Sequence, residues 1–261
     1  MNERFRFYTN IIALQTIMRK EILRFMRIWS QTLLPPAITM SLYFVIFGKF
    51  IGSQINHIDG YSYIQYIVPG LIMMSIMTNA YANTASSFFL TKFNKSIEEM
   101  LVSPINNIVI LLGFMLGGTI RGLAVGIIVI LVSFLFTHVP IYHPLIILNT
   151  AILAAMVFSL GGLINAIYAK RFDDISFIPT FVLTPLTYLG GVFYSIKQLP
   201  PIWQSISLCN PVLAIVDTFR YGLLGISDLN IYIGFSVIGM LLASMFFWAW
   251  LLLQKGVGIK V

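Results

Sequence analysis

The chain has 261 residues, 58% of them apolar and only 10% charged, with a formal net charge of +7. An average soluble domain carries roughly 25% charged residues, so this composition excludes a soluble globular protein and points to the bilayer. A single cysteine, Cys209, excludes an internal disulfide framework, and three scattered histidines, His57, His138 and His143, form no metal-site pattern.

Residues 1–30 form a basic unit of their own. Ile11, Leu14, Met18, Ile22, Phe25 and Trp29 recur at steps of three and four, while Thr16, Lys20, Arg24 and Arg27 mark another face. This predicts an amphipathic helix lying in the headgroup plane. It is either an elbow that grips the base of a helical bundle or a plain topogenic anchor. Six bases over 27 residues precede the first long apolar run and no small-residue cleavage site follows it, which argues against a cleavable signal peptide.

Residues 31–261 read as one domain with six crossings, at Gln31–Gly52, Ser62–Leu90, Ile108–Phe136, Leu145–Ala169, Ile175–Tyr194 and Ile231–Leu253. Each is about 20 residues or more, and 20 residues of helix match a bilayer core of roughly 30 Å. The fold class is therefore an all-α polytopic membrane protein. Pro35-Pro36 stands near the start of the first crossing, whereas Pro69-Gly70 and Pro185 lie deeper and are expected to kink their helices. In the third crossing Gly118, Gly122 and Gly126, preceded by Gly113 and Gly117, clear one face for another backbone. That backbone belongs to a neighbour in the same chain or to a second subunit. Arg121 on the same helix, with Asn79, Asn83 and Asn165, gives the crossings their polar groups, as either functional residues or interhelical glue.

The loop after the second crossing reads TKFNKSIEEMLVSPINN over Thr91–Asn107. Ser96 and Glu99 stand in capping-box relation, Ile97, Met100 and Leu101 fall on one face, and Pro104 stops the turn. The pattern predicts a two-turn amphipathic helix. A helix so short is marginal alone, so it docks on its own bundle, on lipid headgroups or in a partner's groove.

The stretch Lys170–Pro211 is lopsided. Lys170, Arg171, Asp173 and Asp174 stand at its entrance as a solvated charge cluster, an apolar run reaches Tyr194, and Pro200-Pro201 then interrupts a second, weaker apolar segment too broken to span.

Twelve bases fall on the side of both chain ends: Arg4, Arg6, Arg19, Lys20, Arg24, Arg27, Lys92, Lys95, Lys170, Arg171, Lys255 and Lys260. The opposite side has Lys49, Lys197 and Arg220. The positive-inside rule then places both termini in the cytoplasm and Ser195–Asn230 outside. Bases confined to ends and short loops offer no domain for a duplex, so no nucleic-acid partner is expected. No Gly-x-x-x-x-Gly-Lys-Ser/Thr occurs, so the chain carries no phosphate loop of its own, and no nucleophile elbow or zinc-protease helix appears. No catalytic residue and no metal ligand is proposed. No inverted repeat relates the first three crossings to the last three, which weakens a secondary transporter. A proton-coupled carrier working alone, or a membrane-embedded enzyme built around Arg121, stays the alternative.

Six crossings, the basic N-terminal helix, the turn Ile97-Glu-Glu-Met-Leu-Val-Ser-Pro104, the Phe172-Asp-Asp-Ile175 entrance and the run Thr184-Pro-Leu-Thr-Tyr-Leu-Gly-Gly-Val-Phe-Tyr194 resemble the type-2 ATP-binding-cassette exporter permeases over essentially the whole chain. Within that family the likeness is to YadH-type inner-membrane permeases and lipo-oligosaccharide or drug exporters. The resemblance implies a half-transporter in a bacterial inner membrane that pairs as a homodimer, or with a sister permease, and moves a hydrophobic or lipid-linked substrate outward. ATP and magnesium would belong to a separate ATPase, and membrane lipid surrounds the rest. Residues Ser96, Ile97, Glu98, Glu99, Met100 and Leu101 match the family's coupling helix, and Asn10–Ser30 its connecting helix. Leu199–Gly225 matches its outer re-entrant helices. Tyr188, Tyr194, Pro200, Pro201 and Trp203 are the outer gate candidates, with interfacial anchoring as the other role open to these aromatics.

Overall fold

A computed structural model describes residues 3–54 and 57–258. The Arg4, Arg6 and Lys49 side chains, and Lys260 entirely, lie outside the described residues, so that part of the charge tally has no structural counterpart. Among the described residues the architecture is helical, and the only extended pairing is an isolated bridge between Ile58 and Tyr61.

The helices are α1 (Glu3–Arg27), α2 (Trp29–Thr32), α3 (Leu34–Tyr43), α4 (Tyr63–Phe93), α5 (Ser96–Val102), α6 (Asn107–Ser133), α7 (Pro144–Tyr168), α8 (Phe172–Ile178), α9 (Thr184–Tyr188), α10 (Pro201–Leu208), α11 (Pro211–Leu224) and α12 (Ile231–Lys255). A wide π-helical stretch continues α3 over Phe44–Ile51, and another joins α8 to α9 over Pro179–Leu183. Among the described residues four helical stretches are long and apolar enough to cross a membrane: Trp29–Gly48, Asn107–Ser133, Pro144–Tyr168 and Ile231–Lys255. The helix α4 is long enough, at 31 residues, but its lower half is polar. The α8–α9 path stops at Tyr188, short of the expected Tyr194, because the chain turns through Gly190 and Gly191, the latter at φ +70°.

The ends of these helices follow from local chemistry. Asn106, Asn210 and Asn230 accept from the backbone N–H two residues on, at 3.0, 3.0 and 2.9 Å, satisfying a donor that the first helical turn leaves free. Ser62 and Gln65 form a capping box at the start of α4. Gly225 and Gly256, both left-handed, end α11 and α12.

The core is built around α4, most of whose residues are buried between α6, α7 and α11. Small residues bring the backbones together. A Cβ at Gly118 would lie 2.1 Å from the Thr84 hydroxyl, one at Gly122 2.9 Å from Ala80, and one at Gly162 2.3 Å from the Tyr81 carbonyl. The glycine stripe therefore serves packing within one chain. In the space it opens, Thr84 Oγ1 and Ser159 Oγ share a 2.6 Å hydrogen bond and Ser159 donates to the Met115 carbonyl at 2.8 Å, tying α4, α6 and α7.

The N-terminal helix departs from the expected pattern. Its buried residues are Ile17, Glu21 and Phe25, and of the anticipated stripe only Phe25 is buried. Gly113 faces Ile17 and Gly117 faces Glu21, so α1 and α6 ascend in step, and the bare glycine surface accepts a carboxylate-bearing turn that hydrophobicity alone assigns to water. Both described chain ends lie at one end of the bundle. Asn10 Oδ1 accepts from the Asn106 N–H at 3.2 Å, and Gly258 lies against the Ile167 carbonyl, where Lys92 also binds.

Candidate functional site

The short helix α5 forms as expected, but its cap does not. The N-cap position is Lys95, left-handed at φ 59°, and Ser96 Oγ turns back to the Thr91 carbonyl at 3.4 Å instead of bonding to Glu99. That tight reversal after α4 swings Ile97 beneath the bundle, where it is 1% exposed in a cluster with Ile17, Phe88, Phe89, Ile110 and Phe114. Met100 and Leu101 pack against the same cluster. The apolar face of α5 is thus turned inward, at about 1.5–3 kcal/mol for a side chain the size of Ile97. The outward face carries Glu98, Glu99 and Val102, with Phe93 exposed beside it.

Next to this base lies a polar cluster between α1, α4 and α6. Glu21 is fully buried; it accepts a very short hydrogen bond from the Ser87 hydroxyl, one from Asn83 Nδ2 at 3.4 Å, and an ion pair from Arg24 at 3.3 Å. Arg24 also donates to the Asn83 backbone carbonyl at 3.0 Å and to Asn83 Oδ1 at 2.8 Å. Arg121 Nη1 donates to that same Oδ1 at 3.5 Å. Arg121 therefore finds an amide carbonyl on a neighbouring helix, the interhelical tie that the sequence offered as one of its two roles. Two guanidinium groups meet one carboxylate here, leaving a surplus positive charge held by Asn83. Of the four intramembrane polar residues read from the sequence, the fold brings Arg121 and Asn83 together. Asn79 bonds to Ser75 of its own helix and faces a groove beside Pro35, Thr39 and Tyr43. Asn165 donates to the Ile175 carbonyl at 3.1 Å, on the far side of α4.

A second cluster closes the opposite end. Arg220, counted among the bases of the outer side, is 2% exposed, with its guanidinium 4.2 Å from the Tyr66 ring centroid and a short hydrogen bond to the Gly191 carbonyl. It is buried because Asp217, one turn earlier, faces it at 3.8 Å. Asp217 in turn accepts from the Ser227 hydroxyl at 2.6 Å and the Asp228 and Leu229 N–H groups at 2.9 Å each. Asp228 accepts from Ser195 at 2.8 Å and pairs with Lys197 at 3.0 Å. Burial works to raise the Asp228 pKa, but the Lys197 ammonium and the Ser195 hydroxyl outweigh it and hold the group below the usual carboxylate range. The bond to Asp228 raises Lys197 correspondingly. These contacts pin the Gly191–Gln198 turn to the α11–α12 connection. Neither Glu21 nor the Asp217–Arg220 pair was singled out from the sequence, although an acid and a base three residues apart in the otherwise apolar run Ala214–Leu224 are such a signal.

The outer aromatic candidates do not converge. Tyr188 is exposed and meets Phe193 at 5.7 Å between ring centroids. Tyr194 is half-buried near Ser207, and Pro200, Pro201 and Trp203 lie exposed at the start of α10. Long apolar helices gathered into a bundle with an anchored basal helix and internal polar ties are the architecture of a multi-pass membrane protein. The model of the ABC-2 type transporter family matches residues 12–224, and the chain belongs to that family. It is 53% identical over 249 residues to the inner membrane transport permease YadH of Escherichia coli K12, covering 95% of this chain and 97% of the relative. It is also similar to nodulation protein J of Rhizobium leguminosarum bv. viciae, at 27% over 200 residues (74% and 76% of the two chains), and of Neorhizobium galegae, at 24% over 226 residues (84% of each).

Proposed function

We propose that this chain is the permease subunit of an ATP-driven exporter, a six-span inner-membrane protein with both ends in the cytoplasm that moves a hydrophobic or lipid-linked substrate outward. It works as a homodimer on which two copies of a separate ATPase act, and ATP and magnesium are bound by that partner. The observation that carries this reading is the two-sidedness of α5. Its inner face is rooted among α1, α4 and α6, while Glu98, Glu99, Val102 and Phe93 project from the bundle. A push on that face is transmitted to three helices at once. The homodimer reading is supported by the partly exposed small and polar stripe Thr78, Asn79, Ala82 and Ser86 on α4, which suits a protein or water contact better than lipid.

The test separates the two faces. Replacing Glu98 and Glu99 by Lys and Val102 by Asp should detach the ATPase while the permease keeps its thermal stability. Ile97→Ser should instead destabilise the permease by about 1.5–3 kcal/mol. Unchanged ATPase co-purification with the triple variant sinks the reading.

A further inference from the structure

A cavity of about 350 Å³ lies between α7, α12 and the α8–α9 path, away from both polar clusters. Its wall is almost wholly apolar, including Gly161, Val182, Leu241 and Met245. Away from its mouth the polar groups in it are Tyr81, 2% exposed, whose hydroxyl makes no hydrogen bond of normal geometry, and Asn165 beside it. The cavity runs along α7 from Val157 to Tyr168, roughly 16 Å of helix. Half the hydrocarbon core of a bilayer is roughly 15 Å. At its lower end Tyr168 and Trp248 stand exposed with ring centroids 6.4 Å apart, the aromatic pair typical of the membrane–water boundary. A second cavity of about 380 Å³ begins there, sharing Asn165, Tyr168 and Ile178 and lined by Asp173 and Asp174. Lys170 and Arg171, both exposed, stand in the chain between Ala169 and Asp173 of that lining. Asp174 accepts at Oδ2 from the Lys170 and Arg171 N–H groups at 2.8 and 2.9 Å, so Asp173, which is exposed, is the less engaged of the two acids.

We infer that these joined cavities bind one aminophospholipid of the leaflet on the side of the chain ends. One acyl chain fills the apolar cavity, the phosphate meets Lys170 and Arg171, and the ammonium meets Asp173. Bases and an acid within four residues of the mouth complement a phosphate and an amine, and the length of the apolar cavity matches one leaflet. The bound lipid wedges between α7 and α8–α9, a path only lightly packed on the bundle, and so sets its position.

The test is native mass spectrometry of the full chain purified from vesicles of equal phosphatidylethanolamine and phosphatidylglycerol. Wild type should retain phosphatidylethanolamine through detergent exchange. Gly161→Leu should lose it, because a Cβ at Gly161 meets only the Tyr81 ring, at 3.6 Å, and the rest of the side chain enters the cavity. Val182→Phe fills the same space from the opposite wall and should lose it too, which guards against one variant failing to fold. Asp173→Asn should abolish the preference between the two lipids. Retention by both filled variants overturns the inference, as does preferential retention of phosphatidylglycerol by wild type. So does a changed oligomeric state without loss of lipid, which would give the face to a second copy. None of these readings requires an ATPase, so the proposed function is tested separately.

Discussion

Glu21→Gln removes one charge from the α1–α4–α6 cluster while keeping the side chain's shape. Glu21 has no solvent exposure and is the only acid among the contacts of Arg24, Asn83, Ser87 and Arg121 described there. Breaking a buried ion pair by deleting one partner costs about 3–5 kcal/mol. Arg24 is 26% exposed and recovers part of its solvation, and the glutamine oxygen still accepts from Ser87, so about 2 kcal/mol is expected. For a chain of this size that is an apparent melting shift of roughly 4–8 °C, read at fixed scan rate because membrane proteins commonly unfold irreversibly. The sharper reading is the double variant. If surplus positive charge is what Glu21 neutralises, Arg121→Leu should relieve much of the Glu21→Gln penalty, giving a coupling well outside the roughly 0.3–0.5 kcal/mol scatter of independent sites. Additive losses, or no shift in the single variant, would refute the electrostatic account of the cluster.

Arg121→Lys keeps the charge but loses the planar fork that reaches Asn83; assembly should survive while substrate-stimulated ATP hydrolysis by the complex falls, and Arg121→Leu should lower it further. The Lys197–Asp228 clasp should be pH-limited on both sides. Asp228, held below its ordinary value, contributes stability above about pH 4 and loses it as pH falls through its folded pKa, whereas Lys197, held above its own, contributes below about pH 10 and loses it as pH rises through the folded value. Exchange of the Ile196 amide, which bonds to Asp228 at 3.3 Å, should accelerate beyond those limits, by a small factor because Lys197 is 67% exposed. Cysteines at Ser53 or Tyr142 in a Cys209→Ser background should react with an impermeant reagent in intact cells, and those at Gln15 or Asn94 should not; the reverse pattern would invert the topology.

The helices were legible because apolar runs bounded by Asn, Pro and Gly mark their ends, and expected and observed limits of α4, α6, α7 and α12 differ by three residues or fewer. The glycine stripe of α6 correctly announced close packing, but periodicity could not say against what. It turned out to hold α1 through Gly113 and Gly117 and α4 through Gly118, Gly122 and Gly126. Hydrophobicity misplaced the inward face of α1, since Glu21 is buried by partners supplied from α4, about sixty residues away, and pattern within one helix does not contain them. Likewise the capping box at Ser96 was a plausible local solution, displaced by the left-handed turn at Lys95 that seats Ile97 in the core. The count of Arg220 on the outer side said nothing of its burial: Asp217 stands one turn earlier in the same helix, but the Tyr66 ring and the Gly191 carbonyl reach it only in three dimensions.

The most direct test of the central claim is to purify the chain, tagged at its native level, from its own membranes without overproducing any partner, and to identify what accompanies it. An ATPase bearing a phosphate loop, recovered in equal number to the permease and released by Glu98→Lys with Glu99→Lys, is the predicted result. A chain recovered alone, whose substrate movement in vesicles proceeds unchanged without ATP, would contradict it.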